Sequence, residues 1–191
     1  MKKLIVATSN PGKIREMQEY LTGLDWELQL KPPEIEIEET GTTFATNACL
    51  KASAVARIMG EWSIADDSGL EVDALGGAPG IYSARYAPTD QERIARILKE
   101  LKGQENRQAR FVCVVAIARP DGSIALEAEG ICLGEILHAP LGEGGFGYDP
   151  IFYVPQQAMT FAQMEAEVKN KLSHRGKAFQ ALLPQLQKLE A

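Results

Sequence analysis

The sequence contains few cysteines and histidines and no long apolar run. Its three cysteines are Cys49, Cys113 and Cys132, which form no C-x-x-C pair. That scatter excludes a disulfide framework and a zinc site of paired cysteines, and it predicts reduced, buried thiols in a cytoplasmic protein. The longest apolar run, FVCVVAIA from Phe111, is far too short to span a membrane, and the run after Lys3 is too short for a signal peptide.

An excess of positive charge is absent as well. The chain has 20 Lys and Arg against 26 Asp and Glu, which gives a net charge of −6. This balance argues against a general binder of nucleic acid or of membrane surfaces, although one small anion could still bind in a local basic pocket. With 191 residues, 45% of them hydrophobic, and no repeat or low-complexity linker, the chain is expected to form a single domain over residues 1–191.

The sequence does contain alternating strand and helix patterns. The segments LIVAT and WELQLK are typical of strands, and apolar residues recur at helical spacing between them and again from Thr43. The strand WSIA is predicted to end at Asp66, TDQE from Thr89 is a capping box, and a helix is predicted from Thr160 toward Ser173. Two long apolar segments that flank the turn PDGS predict a hairpin. The fold class that follows is α/β with a mixed sheet.

The segment TSNPGK, Thr8 to Lys13, joins the first strand to the first helix. Such a turn can direct backbone N–H groups and the positive end of the helix dipole at an anion. Lys13 adds a mobile positive charge that we expect to be exposed without a ligand. The segment is not a Walker A motif, because Ile14 stands where Ser or Thr would follow Gly-Lys. A simple strand–helix turn capped by Ser9 or Asn10 fits the local pattern equally well.

Two acidic pairs, Glu38-Glu39 and Asp66-Asp67, lie at predicted loop or strand ends. Carboxylates of this kind suit Mg²⁺, which takes one or two of them together with waters and substrate phosphate oxygens. A divalent ion would also offset the repulsion between adjacent acids. Solvated loop acids are the simpler interpretation of Glu38-Glu39 alone, whereas the apolar strand before Asp66-Asp67 favours a functional site.

The segment GEGGFGYDP, Gly142 to Pro150, combines four glycines with two aromatic residues. The glycines allow the backbone to approach a ligand closely, and Phe146 and Tyr148 offer flat faces for a nucleobase. Asp149 could accept a hydrogen bond from a ring N–H. The alternative is a flexible hairpin loop with partly buried aromatics.

The segment KNKLSHRG concentrates positive charge in an acidic protein, through Lys169, Lys171, His174 and Arg175. A solvated helix end that stops at the glycine is the alternative. No Ser-His-Asp or Cys-His arrangement suggests a covalent nucleophile. The basic residues, the acids and the aromatic loop together fit a Mg²⁺-dependent attack of water on a nucleoside polyphosphate.

Taken in order, these segments resemble the inosine triphosphate pyrophosphatase family, hydrolases that act on deaminated purine nucleoside triphosphates. The matching segments are ATSNPGKIREM, EETGTTFATNACLKA, IADDSGLEVDALGGAPGIYSARYA, GGFGYDPIF and SHRGKA. They occur in family order from Ala7 to Ala178. The resemblance implies an elongated mixed α/β fold with two lobes around a central cleft, and a homodimer.

The resemblance also implies the site and the reaction. Hydrolysis between the α and β phosphates would give a nucleoside monophosphate and pyrophosphate. Glu39 and Asp67 would bind Mg²⁺, and Asp67 would accept the proton of the attacking water. The triphosphate would be held by six residues: Thr8, Ser9, Asn10, Pro11, Gly12 and Lys13. Ser68 would contact the substrate, and the base would be held by Phe146, Gly147, Tyr148 and Asp149, with Phe146 stacked on it. The base and sugar-phosphate contacts would be completed by Lys169, His174 and Arg175. Thr46 stands where many members carry glutamate.

A preference for deaminated purines has a physical explanation. Hypoxanthine and xanthine carry a 6-oxo acceptor where adenine carries an amino donor. A hydrogen-bond donor from Arg175, His174 or Lys169 would therefore pair with the 6-oxo group but not with the adenine amino group. Each unmade buried bond costs roughly 1–3 kcal/mol. If Arg175 is that donor, Arg175→Ala loses the discrimination between ITP and ATP.

Two other functions are compatible with parts of the sequence. One is a pyrophosphatase for pyrimidine triphosphates such as dTTP or UTP, against which the segments SHRG and GGFGYD argue. The other is a catalytically silent nucleotide-binding module, which would not need both acidic pairs.

Overall fold

The computed structural model describes residues 2–190 and contains, in that range, seven β-strands and five α-helices. The strands are β1 Lys2–Val6, β2 Trp26–Leu30, β3 Trp62–Val72, β4 Gln108–Ala118, β5 Ile124–Ile136, β6 Phe152–Val154 and β7 Met159–Thr160. The helices are α1 Pro11–Leu21, α2 Phe44–Met59, α3 Asp90–Glu100, α4 Ala166–Leu172 and α5 His174–Glu190. Between residues 2 and 190 no helix has the length and apolar character needed to cross a bilayer.

The strands form a mixed sheet in the order β2-β1-β3-β4-β5-β6-β7. Strand β1 pairs in parallel with β2 and β3, and β6 pairs antiparallel with β5 and β7. The predicted turn joins β4 to β5, with the Gly122 N–H donating to the Arg119 carbonyl at 2.7 Å. The predicted α/β class and mixed sheet are confirmed.

Local signals in the sequence explain where the helices begin and end. The Asn10 side chain caps α1 and Pro11 occupies its first turn, where a missing N–H is harmless. The Thr43 side chain caps α2, and Gly60 ends that helix in the left-handed conformation at φ 66°. The predicted capping box of Thr89 and Glu92 opens α3.

The described chain divides into two compact units, each with its own core. Unit 1 comprises residues 2–67, 113–130 and 175–190, and buries Leu4, Met17, Ile64, Val115 and Phe179. Unit 2 comprises residues 68–112 and 131–174, and buries Leu70, Ile97, Phe111, Phe152 and Phe161. The interpretation of residues 1–191 as one domain stays a prediction.

The predicted end of a strand at Asp66 was wrong, because β3 continues through both acids to Val72. Leu70 and Val72 are fully buried beyond them, so the alternation typical of a strand resumes after Gly69. The acids therefore lie inside a buried strand and not at its end. Buried charges in such a position require partners close by.

The helix predicted from Thr160 was also wrong in extent. Thr160 and Gln163 do form a capping box, but it opens only a 3₁₀ helix, Phe161–Gln163. Met164 then turns extended at φ −78° and ψ 142°, and α4 begins only at Ala166. Phe161 and Met164 are both buried in the core of unit 2.

Candidate active site

Asp66 lies at the centre of a buried ion-pair network in unit 1. The residue lies in β3 and is only 1% exposed. One carboxylate oxygen, Oδ2, accepts from Lys13 Nζ at 2.9 Å and from Arg175 Nη2 at 3.0 Å. The first turn of α1 supplies Lys13 and the first turn of α5 supplies Arg175, so the network ties both helices to the strand.

Arg175 has a second carboxylate partner in the same unit. Its Nη1 donates to Glu16 Oε2 at 2.6 Å, and the residue is 1% exposed. A guanidinium between two carboxylates serves as a fixed structural cation. In this position Arg175 is better suited to holding Asp66 than to making the predicted contact with a purine 6-oxo group. The predicted contact stays untested.

The two adjacent aspartates have pKa values shifted in opposite directions. Burial alone would raise the pKa of Asp66, but the positive charges of Lys13, Arg175 and Lys51 outweigh it and hold that pKa well below its ordinary value. Burial raises the pKa of Asp67 from 3.8 to about 6. Carboxyls whose environments separate their pKa values in this way are candidates for different chemical roles. Asp66 is a permanent anion, and Asp67 can exchange a proton near neutral pH.

Lys51 on α2 joins Asp67 to Glu39. Its ammonium contacts Glu39 Oε1 and lies 3.9 Å from Asp67 Oδ1. The carboxylates of Asp66, Asp67 and Glu39 more than offset the effect of burial and raise the pKa of Lys51, so it stays charged. Glu39 is half-buried, whereas its neighbour Glu38 is exposed.

Asn47, one turn before Lys51, holds the loop that carries Glu39. The Asn47 Oδ1 accepts from the Gly41 N–H at 2.8 Å, and the residue is fully buried. A Cβ at Gly41 would lie 2.6 Å from that oxygen, so only glycine allows this approach. Thr46 is exposed and shares a hydrogen bond with the Thr43 hydroxyl.

The donor set around Lys51 suits Mg²⁺. In the described part of the chain no three His, Cys, Asp or Glu side chains cluster in a way that would hold a metal alone. Mg²⁺ does not need such a cage, because it retains waters and takes oxygens from substrate phosphates. Glu39 and Asp67, which both lie beside the Lys51 ammonium, could supply the one or two carboxylates of that pattern.

The predicted anion loop differs from expectation at its lysine. Asn10 Oδ1 accepts from the N–H groups of Gly12 at 2.9 Å and Lys13 at 3.3 Å, which is the capped strand–helix turn named as the alternative. The expectation that Lys13 is exposed was wrong, because its side chain is 15% exposed and paired with Asp66. A buried carboxylate attracts the ammonium inward. Thr8 is half-buried and its hydroxyl accepts from the Asn10 N–H, whereas Ser9 and Pro11 are exposed.

In unit 2 a second group of predicted residues comes together around Asp149. The buried Asp149 Oδ2 accepts from the Phe146 N–H at 3.0 Å and from Lys169 Nζ at 2.8 Å. The Lys169 ammonium lies 4.8 Å from the centre of the Phe146 ring. A cation, a carboxylate and a half-buried aromatic ring thus adjoin one another, and such groups can stack on a nucleobase and hydrogen-bond to it.

His174 and Tyr148 have structural partners in the same unit. The imidazole stacks on Phe111 with ring centres 4.6 Å apart, and the residue is buried. The Tyr148 hydroxyl donates to the Ser83 carbonyl at 2.7 Å. Ser68 follows Asp67 within β3 and is half-buried. The substrate contacts predicted for these residues stay untested.

Three residues of the unit 1 network were not predicted as site residues: Glu16, Asn47 and Lys51. A signal existed for the last two, since a polar pair four apart on an otherwise apolar helix shares one face. Glu16 is three residues after Lys13 and lies on the same side of α1. Sequence alone does not reveal which carboxylates Lys51 faces or which cation Glu16 pairs with.

Comparisons with known proteins found similar sequences over most of the chain. A model of the Ham1 family matches residues 4–185. A dITP/XTP pyrophosphatase of Nostoc sp. is 72% identical over 185 residues, which cover 97% of this chain and 94% of that protein. A dITP/XTP pyrophosphatase of Synechocystis sp. is 63% identical over 185 residues, which cover 97% and 95% of the two chains.

Two solved structures share the fold over nearly the whole chain. A HAM1 protein from Coxiella burnetii superposes with a TM-score of 0.91 at 41% identity and covers 98% of this chain and 100% of that one. The Staphylococcus aureus Ham1 protein gives a TM-score of 0.88 at 42% identity, with the same coverage.

Proposed function

Because this chain belongs to the Ham1 family, it is a nucleoside triphosphate pyrophosphatase, and we propose that it hydrolyses ITP, dITP and XTP to the monophosphate and pyrophosphate. Such a reaction removes deaminated purines from the nucleotide pool. The names of the relatives support this substrate class, and they give no support to the alternative of a pyrimidine triphosphate pyrophosphatase.

The different charged partners of Asp66 and Asp67 are the observation that carries the proposed mechanism, since Asp66 pairs with Lys13 and Arg175 whereas Asp67 lies 3.9 Å from Lys51. A general base works best when its pKa lies near the operating pH, and burial raises the pKa of Asp67 to about 6. Asp67 accepts the proton of the attacking water in this proposal. Asp66, held ionised by Lys13 and Arg175, keeps those cations in place.

Mg²⁺ is part of the proposal, with Glu39 and Asp67 as its protein ligands. When bound, Mg²⁺ supplies positive charge that neutralises phosphate oxygens and polarises water. Lys51 adds a further cation beside the same two carboxylates. Lys13 supplies a charge for the triphosphate once the substrate competes with Asp66 for its ammonium.

Selection of the base falls to the group around Asp149 in this proposal. Phe146 offers the stacking face, and the Lys169 ammonium lies over that ring and can donate to a 6-oxo group. An adenine amino group at the same position would face a donor, at a cost of roughly 1–3 kcal/mol for the unmade bond. Lys169 is better placed for this role than Arg175, whose guanidinium pairs with Asp66 and Glu16.

A substrate panel tests the proposal directly. Pyrophosphate release is measured for ITP, dITP, XTP, ATP, GTP, dTTP and UTP, each with and without Mg²⁺. We expect release from the first three only, and only with Mg²⁺. Release from dTTP or UTP at a comparable rate would contradict the proposed base preference, and release without a divalent ion would contradict the metal site.

The oligomeric state is a separate part of the proposal. The family resemblance supports a homodimer, and sedimentation equilibrium measures it. A mass twice that of the 20.9 kDa chain is the expected result.

A further inference from the structure

The loop that carries Phe146 is fixed by a residue outside it. The N–H of Gly147 donates to Asp90 Oδ2 at 2.8 Å. Asp90 is the first residue of α3, 57 positions earlier in the chain. No role in binding or catalysis follows for Asp90 from the active-site groups described above.

Two carboxylates hold the two peptide groups on either side of the Phe146 Cα. The N–H of Phe146 belongs to the preceding peptide and donates to Asp149, and the N–H of Gly147 belongs to the following peptide and donates to Asp90. Fixing both peptide planes fixes φ and ψ of Phe146. The direction in which its side chain leaves the backbone is then fixed as well.

The contact from Asp90 adds to support within the loop, where the Asp149 N–H donates to the Phe146 carbonyl at 3.2 Å and the Asp149 carboxylate accepts from the Phe146 N–H. Gly145 and Gly147 have φ values of 71° and 61°. Glycine adopts this left-handed conformation without steric cost, but it populates negative φ values about as readily. Gly147 has no side chain with which to hold its own peptide. The carboxylate of Asp90 is an ionised acceptor, which strengthens the hydrogen bond, and solvent reduces that gain because the side chain is 48% exposed.

Asp90 is itself held on a rigid element. Its other oxygen, Oδ1, accepts from Arg93 Nη1 at 2.6 Å, and Arg93 Nε donates to the Ala87 carbonyl at 2.9 Å. The capping box of Thr89 and Glu92 fixes the helix start on which Asp90 lies. The first turn of a helix also favours a negative charge.

We propose that Asp90 is a positioning residue for base recognition, which sets the orientation of the Phe146 ring through the Phe146–Gly147 peptide. This inference rests on the proposed function, in which Phe146 stacks on the base. It assigns a specificity role to a residue that does not touch the substrate. Loss of the Asp90 carboxylate should therefore weaken binding of the base without changing the phosphate chemistry.

The test compares Asp90→Ala, Asp90→Asn and the control Glu92→Gln. The control alters the same helix start but makes no hydrogen bond to the loop. For Asp90→Ala we expect KM for ITP and the inhibition constant of IMP to rise roughly three- to tenfold, as loss of one such hydrogen bond predicts. We expect kcat and the inhibition constant of pyrophosphate to stay unchanged. Asp90→Asn keeps an acceptor oxygen and should recover part of the loss.

Each outcome distinguishes the inference from the proposed function. If the wild-type protein does not hydrolyse ITP, the proposed function fails. If it does, and Asp90→Ala keeps wild-type values for ITP and IMP, the inference fails. An equal rise of KM in Glu92→Gln, or an equal weakening of pyrophosphate binding in Asp90→Ala, would show a general disturbance of α3. Either result would also overturn the inference. Asp90→Ser, shorter than aspartate by one bond, replaces the alanine variant if that variant does not fold.

Discussion

Asp66 and Asp67 are neighbours in one strand, but they face different charges. Asp66 meets the ammonium of Lys13 and the guanidinium of Arg175, so its ionised form is stabilised. Asp67 is buried with the Lys51 ammonium 3.9 Å away, and burial is the larger influence on its pKa. The helices that supply Lys13, Arg175 and Lys51 therefore decide which of the two aspartates fits the proposed role of base.

Asp67→Asn should remove most of the turnover while preserving the fold. The amide has nearly the same volume but cannot accept a proton, and loss of a general base lowers kcat by about 10²–10⁴-fold. Single-turnover hydrolysis of ITP at pH 8 measures the effect, with Glu36→Gln as a control because Glu36 is exposed in the loop before Glu39. Near wild-type turnover in Asp67→Asn would place proton transfer elsewhere.

The same substitution should stabilise the protein above pH 6 in metal-free buffer. The folded pKa of Asp67 is raised from 3.8 to about 6, so the folded state binds the proton more tightly than the unfolded state does. Stability from this group is therefore full below pH 4 and lost as the pH rises through 6. Removing the charge should raise the free energy of unfolding at pH 8 by about 1–3 kcal/mol. Urea unfolding at pH 8 and pH 4 measures the difference, which should vanish at pH 4.

Asp66→Asn should have the opposite effect on stability. Its folded pKa is depressed, so its contribution is present at neutral pH and is lost as the pH falls through the folded pKa. Without the carboxylate, Lys13 and Arg175 lose a common buried partner, and breaking a buried pair costs about 3–5 kcal/mol. Urea unfolding at pH 8 tests this expectation. Equal free energies for Asp66→Asn and the wild type would contradict the network.

At the scale of elements, much of the fold was predictable because local signals dominate there. The apolar stripe of α2, the capping box of α3 and the turn between β4 and β5 all depend on residues close in sequence. The errors arose where distant partners decide. Strand β3 continues through Asp66 because Lys13 and Arg175 pair with it, and neither cation lies near it in sequence.

In the candidate site, too, motifs close in sequence were predicted and the roles that depend on distant partners were missed. Motifs identified the acids, the glycine loop and the basic segment, and the structure brings Lys13, Asp66, Asp67 and Glu39 together in unit 1. Lys51 was not predicted as a site residue, since its role depends on which carboxylates fold against α2. Asp90 carried only a helix-capping signal, although its carboxylate holds the loop at Gly147.

Gly145→Ala tests the loop as an element. A Cβ at this position would lie 2.1 Å from Asp149 Oδ2, so Asp149 must move away from Lys169 and from the Phe146 N–H. We expect KM for ITP to rise roughly tenfold, the equivalent of one charged hydrogen bond. Gly103→Ala is the matched control, because Gly103 has a similar φ of 79° but no atom near its added Cβ. Equal effects of the two substitutions on KM would contradict a specific role of the Asp149 contacts.

At the scale of the molecule, the two compact units carry different groups of candidate residues. Unit 1 contains the paired aspartates with Lys13 and Lys51, and unit 2 contains Phe146 with its carboxylate and ammonium neighbours. Phosphate chemistry and base choice should therefore respond to different substitutions. We expect changes in unit 1 to lower kcat and changes around Phe146 to raise KM.

Hydrolysis of ITP in ¹⁸O-labelled water tests the proposed reaction most directly. If Asp67 activates water for attack at the α phosphorus, pyrophosphate is the leaving group, and mass spectrometry will find the label in inosine monophosphate alone. Label in pyrophosphate would mean attack at the β phosphorus. Accumulation of inosine diphosphate with labelled orthophosphate would mean attack at the γ phosphorus, and either result would contradict the role assigned to Asp67.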